Sequence, residues 1–196
     1  MNPLTTPPVL LSARLKAETA VLHEQMHALM EQAQPFSSRA HYARFVAAQY
    51  HFQRDVEPLF DDAAIQAALP DVQVRARAAA ALADLADLDV LPGEQDIATA
   101  TVAMPHALGW LYVSEGSTLG AAFLLKEVKD KLGLSETFGA RNLAAYPEGR
   151  ALAWRRFVSL LDAPGLSPQQ QDAVVAGARA AFDRFGALLK RHFALG

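Results

Sequence analysis

Along most of this chain, apolar residues recur at intervals of three and four. That spacing gathers them on one side of an α-helix. Long alternating runs of β-branched residues, the mark of strands, are missing. Residues 1–8 are Pro-containing and are expected to form a flexible tail. The pattern then predicts a first helix from about Ser12 to Gln32, stopped by Pro35. Ser37 or Ser38 can cap a second helix reaching about Phe60, with Asp61 and Asp62 marking its end. Pro70 is expected to open a shorter Ala-rich helix through about Leu85, and Asp87–Glu94, with Pro92 and Gly93, reads as a loop. A long apolar segment follows from about Thr99 to Leu132. Pro147 suits a further helix start, Asp162–Ser167 is a break, and the last helix runs from Ser167–Pro168 to about His192. With no repeat, linker or low-complexity tract, residues 1–196 are expected to form a single all-α domain, an irregular helical bundle.

Apolar residues make up 52% of the 196, enough for a packed core. The formal net charge is −3, and basic residues are scattered. A nucleic-acid partner is therefore not expected, because a phosphate backbone demands a concentrated positive face. No stretch approaches the ~20 apolar residues of a membrane span. The start, MNPLTTPPVLLSARLK, lacks the basic region, apolar segment and cleavage site of a secretion signal. The absence of Cys excludes disulfides, Cys-ligated zinc, iron–sulfur clusters and thiol catalysis. A cytoplasmic protein is the default expectation.

Two patterns bear on chemistry. His23-Glu24-Gln25-Met26-His27 has the HExxH form, but a zinc hydrolase needs a third ligand further along, and none is recognisable. The segment Leu108–Glu127 has a helical pattern yet contains Gly116 and Gly120, each costing about 1 kcal/mol relative to Ala. Their i,i+4 spacing places both on one face, with Tyr112 one turn earlier. Such a stripe suits either the close approach of something flat or tight helix–helix packing. Spacing alone leaves both open.

The Leu108–Glu127 segment resembles the distal helix of bacterial haem oxygenases used in iron acquisition. The strings Pro35-Phe36-Ser37-Ser38-Arg39 and Ala43-Arg44-Phe45-Val46-Ala47-Ala48-Gln49-Tyr50 resemble the same family. So do Arg75-Ala76-Arg77, Ala83-Asp84-Leu85-Ala86-Asp87-Leu88, Phe138-Gly139-Ala140-Arg141 and Phe182-Asp183-Arg184-Phe185-Gly186. These matches run in order over nearly the whole chain. The resemblance implies a haem sandwiched between a proximal helix and a Gly-containing distal helix. His23 would ligate the iron, and Gly116 and Gly120 would pass over the opposite face, with Ser117 beside them. Lys16 and Tyr112 would hold the propionates. An ammonium and a phenol are suitable donors to carboxylates, and Lys16 lies two turns before His23 on one face of a continuous helix. Gln49, Phe52, Arg77 and Trp154 match positions around the distal pocket, where polar side chains and water form a network. One position departs from the family: where a Glu often accepts the second ring proton of the proximal His, this chain has His27. The remaining histidines, His41, His51, His106 and His192, are expected to be structural or solvent-facing.

The implied reaction opens haem, both substrate and cofactor, to biliverdin, carbon monoxide and ferrous iron. It uses dioxygen and electrons from a reductase or ferredoxin. The Lys16–Tyr112 pair points to the alpha isomer. A haem carrier or sensor would use the same His23 and glycine stripe. A thiaminase-like helical enzyme would share the bundle, but it expects an active-site Cys or an acid cluster.

Overall fold

Several helix ends fall where the sequence supplies capping groups. A computed structural model describes residues 9–144, 146–163 and 165–196, so the expected tail at 1–8 lies outside the described residues. Among the described residues the chain forms α1 (Leu11–Glu18), α2 (Ala20–Ala33), α3 (Arg39–Val56), α4 (Ala63–Ala68), α5 (Ala78–Asp87), α6 (His106–Leu132), α7 (Arg150–Leu161) and α8 (Pro168–Phe193). Short 3-10 turns occupy Glu57–Asp61, Val72–Arg75 and Arg141–Leu143, and the described residues contain isolated bridges but no strand. Ser38 caps α3 by accepting from the His41 amide. Ser167 and Gln170 form a capping box on α8 with Pro168 at its first position. Gly133, left-handed at φ 65°, ends α6, and the Arg39 guanidinium donates to the Leu132 carbonyl at 2.9 Å.

Several expected boundaries are corrected. The first helix is two helices meeting at Thr19, which has φ −108° and ψ 3°. There the Thr19 hydroxyl donates to the Leu15 carbonyl at 2.8 Å, competing with the helix backbone. Pro70 opens no helix. Asp62, read as an end, caps α4 through the amides of Ala64 and Ile65, and Pro70 lies in the turn that follows. The Ala-rich α5 starts at Ala78 because the Glu57 carboxylate accepts from the Arg77 and Ala78 amides at 2.7 and 2.6 Å. Within the apolar segment that starts near Thr99, α6 begins at His106; Asp55 of α3 holds the Ala98 amide at 2.7 Å and binds the Thr99 hydroxyl through its carbonyl. Pro147 sits in a turn closed by Tyr146 and Gly149, and α7 starts only after Gly149, at φ 89°.

The core centres on α8, which buries Val174, Val175, Ala178, Ala181, Leu188 and Leu189. α8 crosses α6 backbone on backbone. A Cβ on Gly109 would lie 2.1 Å from the Val174 carbonyl oxygen, and one on Gly177 would lie 2.1 Å from that of His106. The crossing fixes the first turns of α6. Phe52 of α3 joins the layers, stacking on Trp110 (6.0 Å) and meeting Phe185 edge-on (5.4 Å). No helix among the described residues is long and apolar enough to cross a membrane.

Candidate functional site

α2 and α6 both pack against α8, and the Tyr112 phenol of α6 lies beside the side chain of Thr19, the residue between α1 and α2. One turn beyond Thr19, α2 presents His23 to solvent. One and two turns beyond Tyr112, α6 carries Gly116 and Gly120. A Cβ on Gly120 would meet nothing within 4 Å, and one on Gly116 would touch only the ring edge of Trp154, at 3.7 Å. This stripe is therefore not a packing seam; that role belongs to Gly109. Leu119 and Phe123, 39% and 79% exposed, continue the bare face. An uncovered apolar helix face whose backbone is accessible suits a flat apolar ligand.

The other expected residues fall into three settings. Lys16 is exposed near the end of α1, on the far side of the Thr19 break, so its relation to His23 does not follow from one continuous helix. Tyr112 is half-buried with its ring 5.7 Å from that of Trp154; burial pushes its phenol up, against the opposing effect of Thr19. Ser117 is exposed and donates to the Ser114 carbonyl at 2.7 Å. Phe52 is 4% exposed and already enclosed by Trp110 and Phe185, so it has little surface left for a ligand.

Gln49 and Arg77 are half-buried and belong to two separate polar clusters. The Arg77 guanidinium donates to the Ser114 carbonyl and hydroxyl at 2.9 and 3.0 Å. Gln49 accepts from Asn142 Nδ2 at 2.8 Å, and the Asn142 amide is held by Asp84 at 2.8 Å. Asp84 is completely buried, which pushes its carboxyl up despite the amides and Arg141 that favour its charge. Sequence reasoning missed the most enclosed part. Glu115, adjacent to Gly116 in the chain, forms an ion pair with Arg75, the two side chains being 2% and 1% exposed. Tyr146 donates to the same carboxylate at 2.9 Å, and burial pushes its own phenol up, so it serves as a neutral donor. Nothing local marks Glu115, since an acid on a long helix is ordinarily solvated. Arg77 Nε, Arg150 Nη1 and Asn142 Oδ1 are buried without protein partners, two donors and an acceptor suited to ordered water.

The chain is an all-helical bundle, and it belongs to the haem oxygenase family. Residues 9–191 match the family model described as Heme oxygenase. Heme oxygenase PigA of Pseudomonas aeruginosa is 47% identical over 196 residues, covering 99% of this chain and 98% of the relative. The crystal structures of the NO- and CO-bound haem oxygenase from Neisseria meningitidis include one that matches with a TM-score of 0.89 and 38% identity. That match covers 96% of this chain and 94% of that one. Haem oxygenase from Leptospira interrogans shares the fold at a TM-score of 0.76 and 16% identity, over 93% of this chain and 100% of that one. The protein is an enzyme, a haem oxygenase with haem as its substrate. The carrier and thiaminase-like readings give way.

Proposed function

We propose that haem lies between α2 and α6, ligated by His23, with Gly116 and Gly120 passing over its opposite face. The observation that carries this reading is the open space over Gly120, with only the ring edge of Trp154 near Gly116, on the helix whose Tyr112 lies beside Thr19, one turn before His23. Any side chain there would occupy the volume a macrocycle needs. Bound haem supplies both the iron that activates dioxygen and the meso carbon that is oxidised. Lys16 and Tyr112 hold the propionates, Ser117 and Trp154 flank the glycines, and Phe52 supports them from the core. Arg77, Gln49, Asn142 and Arg150 hold water near the distal face, so protons arrive without a strong acid beside the substrate. Electrons come from a reductase or ferredoxin, and the enzyme acts in the cytoplasm. The products are carbon monoxide, ferrous iron and biliverdin, the last as its alpha isomer because two donors on one side fix the in-plane rotation.

The test is a haemin titration of wild type and His23→Ala, followed by turnover with a reductant and chromatography of the bilin. His23→Ala should lose the axial nitrogen ligand and nearly all turnover. An unchanged iron–histidine stretch in that variant would overturn the assignment.

A further inference from the structure

His23 and His27 stand on successive turns of α2, on one face, and both are exposed. Their ring centroids are 4.6 Å apart, with the planes at 66°. Side chains four apart on a helix have Cβ atoms about 5–6 Å from each other, so two imidazoles can converge on one ion at about 2.0–2.1 Å after small side-chain rotations. Among the described residues, the histidine ring nitrogens that bond to protein are those of His41 and His51, which leaves His23 and His27 unengaged. The helix beneath them is firmly seated. A Cβ on Gly186 of α8 would lie 3.5 Å from Leu29 and 3.7 Å from Met26, and Ala33 is 2% exposed. No group of three or more His, Cys, Asp or Glu comes together among the described residues, so such an ion would keep water in its remaining positions. The HExxH pattern therefore presents two imidazoles on one helix face with no third protein ligand among the described residues.

We infer that haem-free protein binds a borderline divalent transition ion, of the copper or zinc class, between His23 and His27. Imidazole pairs favour Cu²⁺ over Zn²⁺ and bind Mg²⁺ and Ca²⁺ poorly. The ion and haem exclude each other, a clause that rests on His23 being the haem ligand. By mass action the haem needed for half-loading then rises by the factor 1 + [ion]/Kd.

The experiment titrates haem-free protein with Cu²⁺ and, separately, with Zn²⁺. Chelator competition and, for copper, electron paramagnetic resonance provide the readouts. One equivalent should bind with a nitrogen-ligand signature, and His23→Ala and His27→Ala should each lose it. His106→Ala, at an exposed histidine outside the pair, should keep it. His27→Ala retains its fold, because the side chain is exposed and Ala is the best helix former. Haem-preloaded wild type should take up no equivalent at this site. An unaltered titration in His27→Ala overturns the chelate. If His27→Ala loses the ion while haem-loaded wild type still binds it, the exclusion fails and so does His23 as haem ligand.

Discussion

Replacing Gly120 by Ala adds one methyl group to α6 at a point where no heavy atom lies within 4 Å. The methyl meets no clash, so helix propensity decides the outcome and the haem-free protein should gain about 0.5–1 kcal/mol. For a chain of this size that is a rise in Tm of roughly 1–4 °C. The same change at Gly109 places a Cβ 2.1, 2.3 and 2.7 Å from backbone atoms of Val174, Ala178 and Gly177. Ordinary carbon contacts lie at about 3.5–4.0 Å, so α6 and α8 would have to part by more than about 1 Å. Overpacking of this kind costs about 1–3 kcal/mol or more, which outweighs the propensity gain. Thermal and urea unfolding of the haem-free variants supply the comparison, with coincident transitions by two probes confirming two-state behaviour. Gly120→Ala should be more stable than wild type yet slower in turnover, because the methyl projects toward the space assigned to haem. Gly109→Ala should be less stable. A destabilised Gly120→Ala, or a Gly109→Ala as stable as wild type, would show that the two glycines have been given each other's roles.

The buried ion pair behind α6 should behave as a unit. Arg75→Met alone should cost about 3–5 kcal/mol by leaving the Glu115 carboxylate buried without its cation, Glu115→Gln should cost less because Arg75 keeps Asp71 at 2.9 Å, and the double variant should cost less than the sum; simple additivity in denaturation would refute the coupling. Lys16→Asn combined with Tyr112→Phe should convert a single biliverdin isomer into a mixture on chromatography, and an exclusively beta or delta product from the native protein would contradict the orientation. Stability should also depend on pH through His51 and His192, stacked at 5.4 Å, both lowered first of all by burial, His192 to about 4. The fold holds them neutral while the unfolded chain takes up protons near pH 6.5, so stability should fall as pH drops from about 6.5 toward 4. A His51→Asn, His192→Phe variant should flatten that slope in urea titrations; an unchanged slope would assign it to other groups.

Local groups wrote the helical plan into the sequence. Ser38, Ser167 with Gln170, and Gly133 cap helices through partners within a few residues, and the periodicity of apolar positions needs no distant contact. The family resemblance was equally legible, because its strings run in order along the chain. His23 and His27 share a face by helix geometry alone. Tertiary structure decided what the glycines do. Gly109, Gly116 and Gly120 look alike in sequence, but the first meets the backbone of a helix more than sixty residues away and the others meet open space or the edge of one ring. It also decided that Glu115 is buried against Arg75, that Asp62 starts a helix as well as ending one, and that Thr19 divides the first helix. In each case the deciding partner or space lies outside the reach of neighbouring residues, or depends on how closely two helices cross. Periodicity fixes which way a side chain faces; the distance to what it faces is set only when the helices pack.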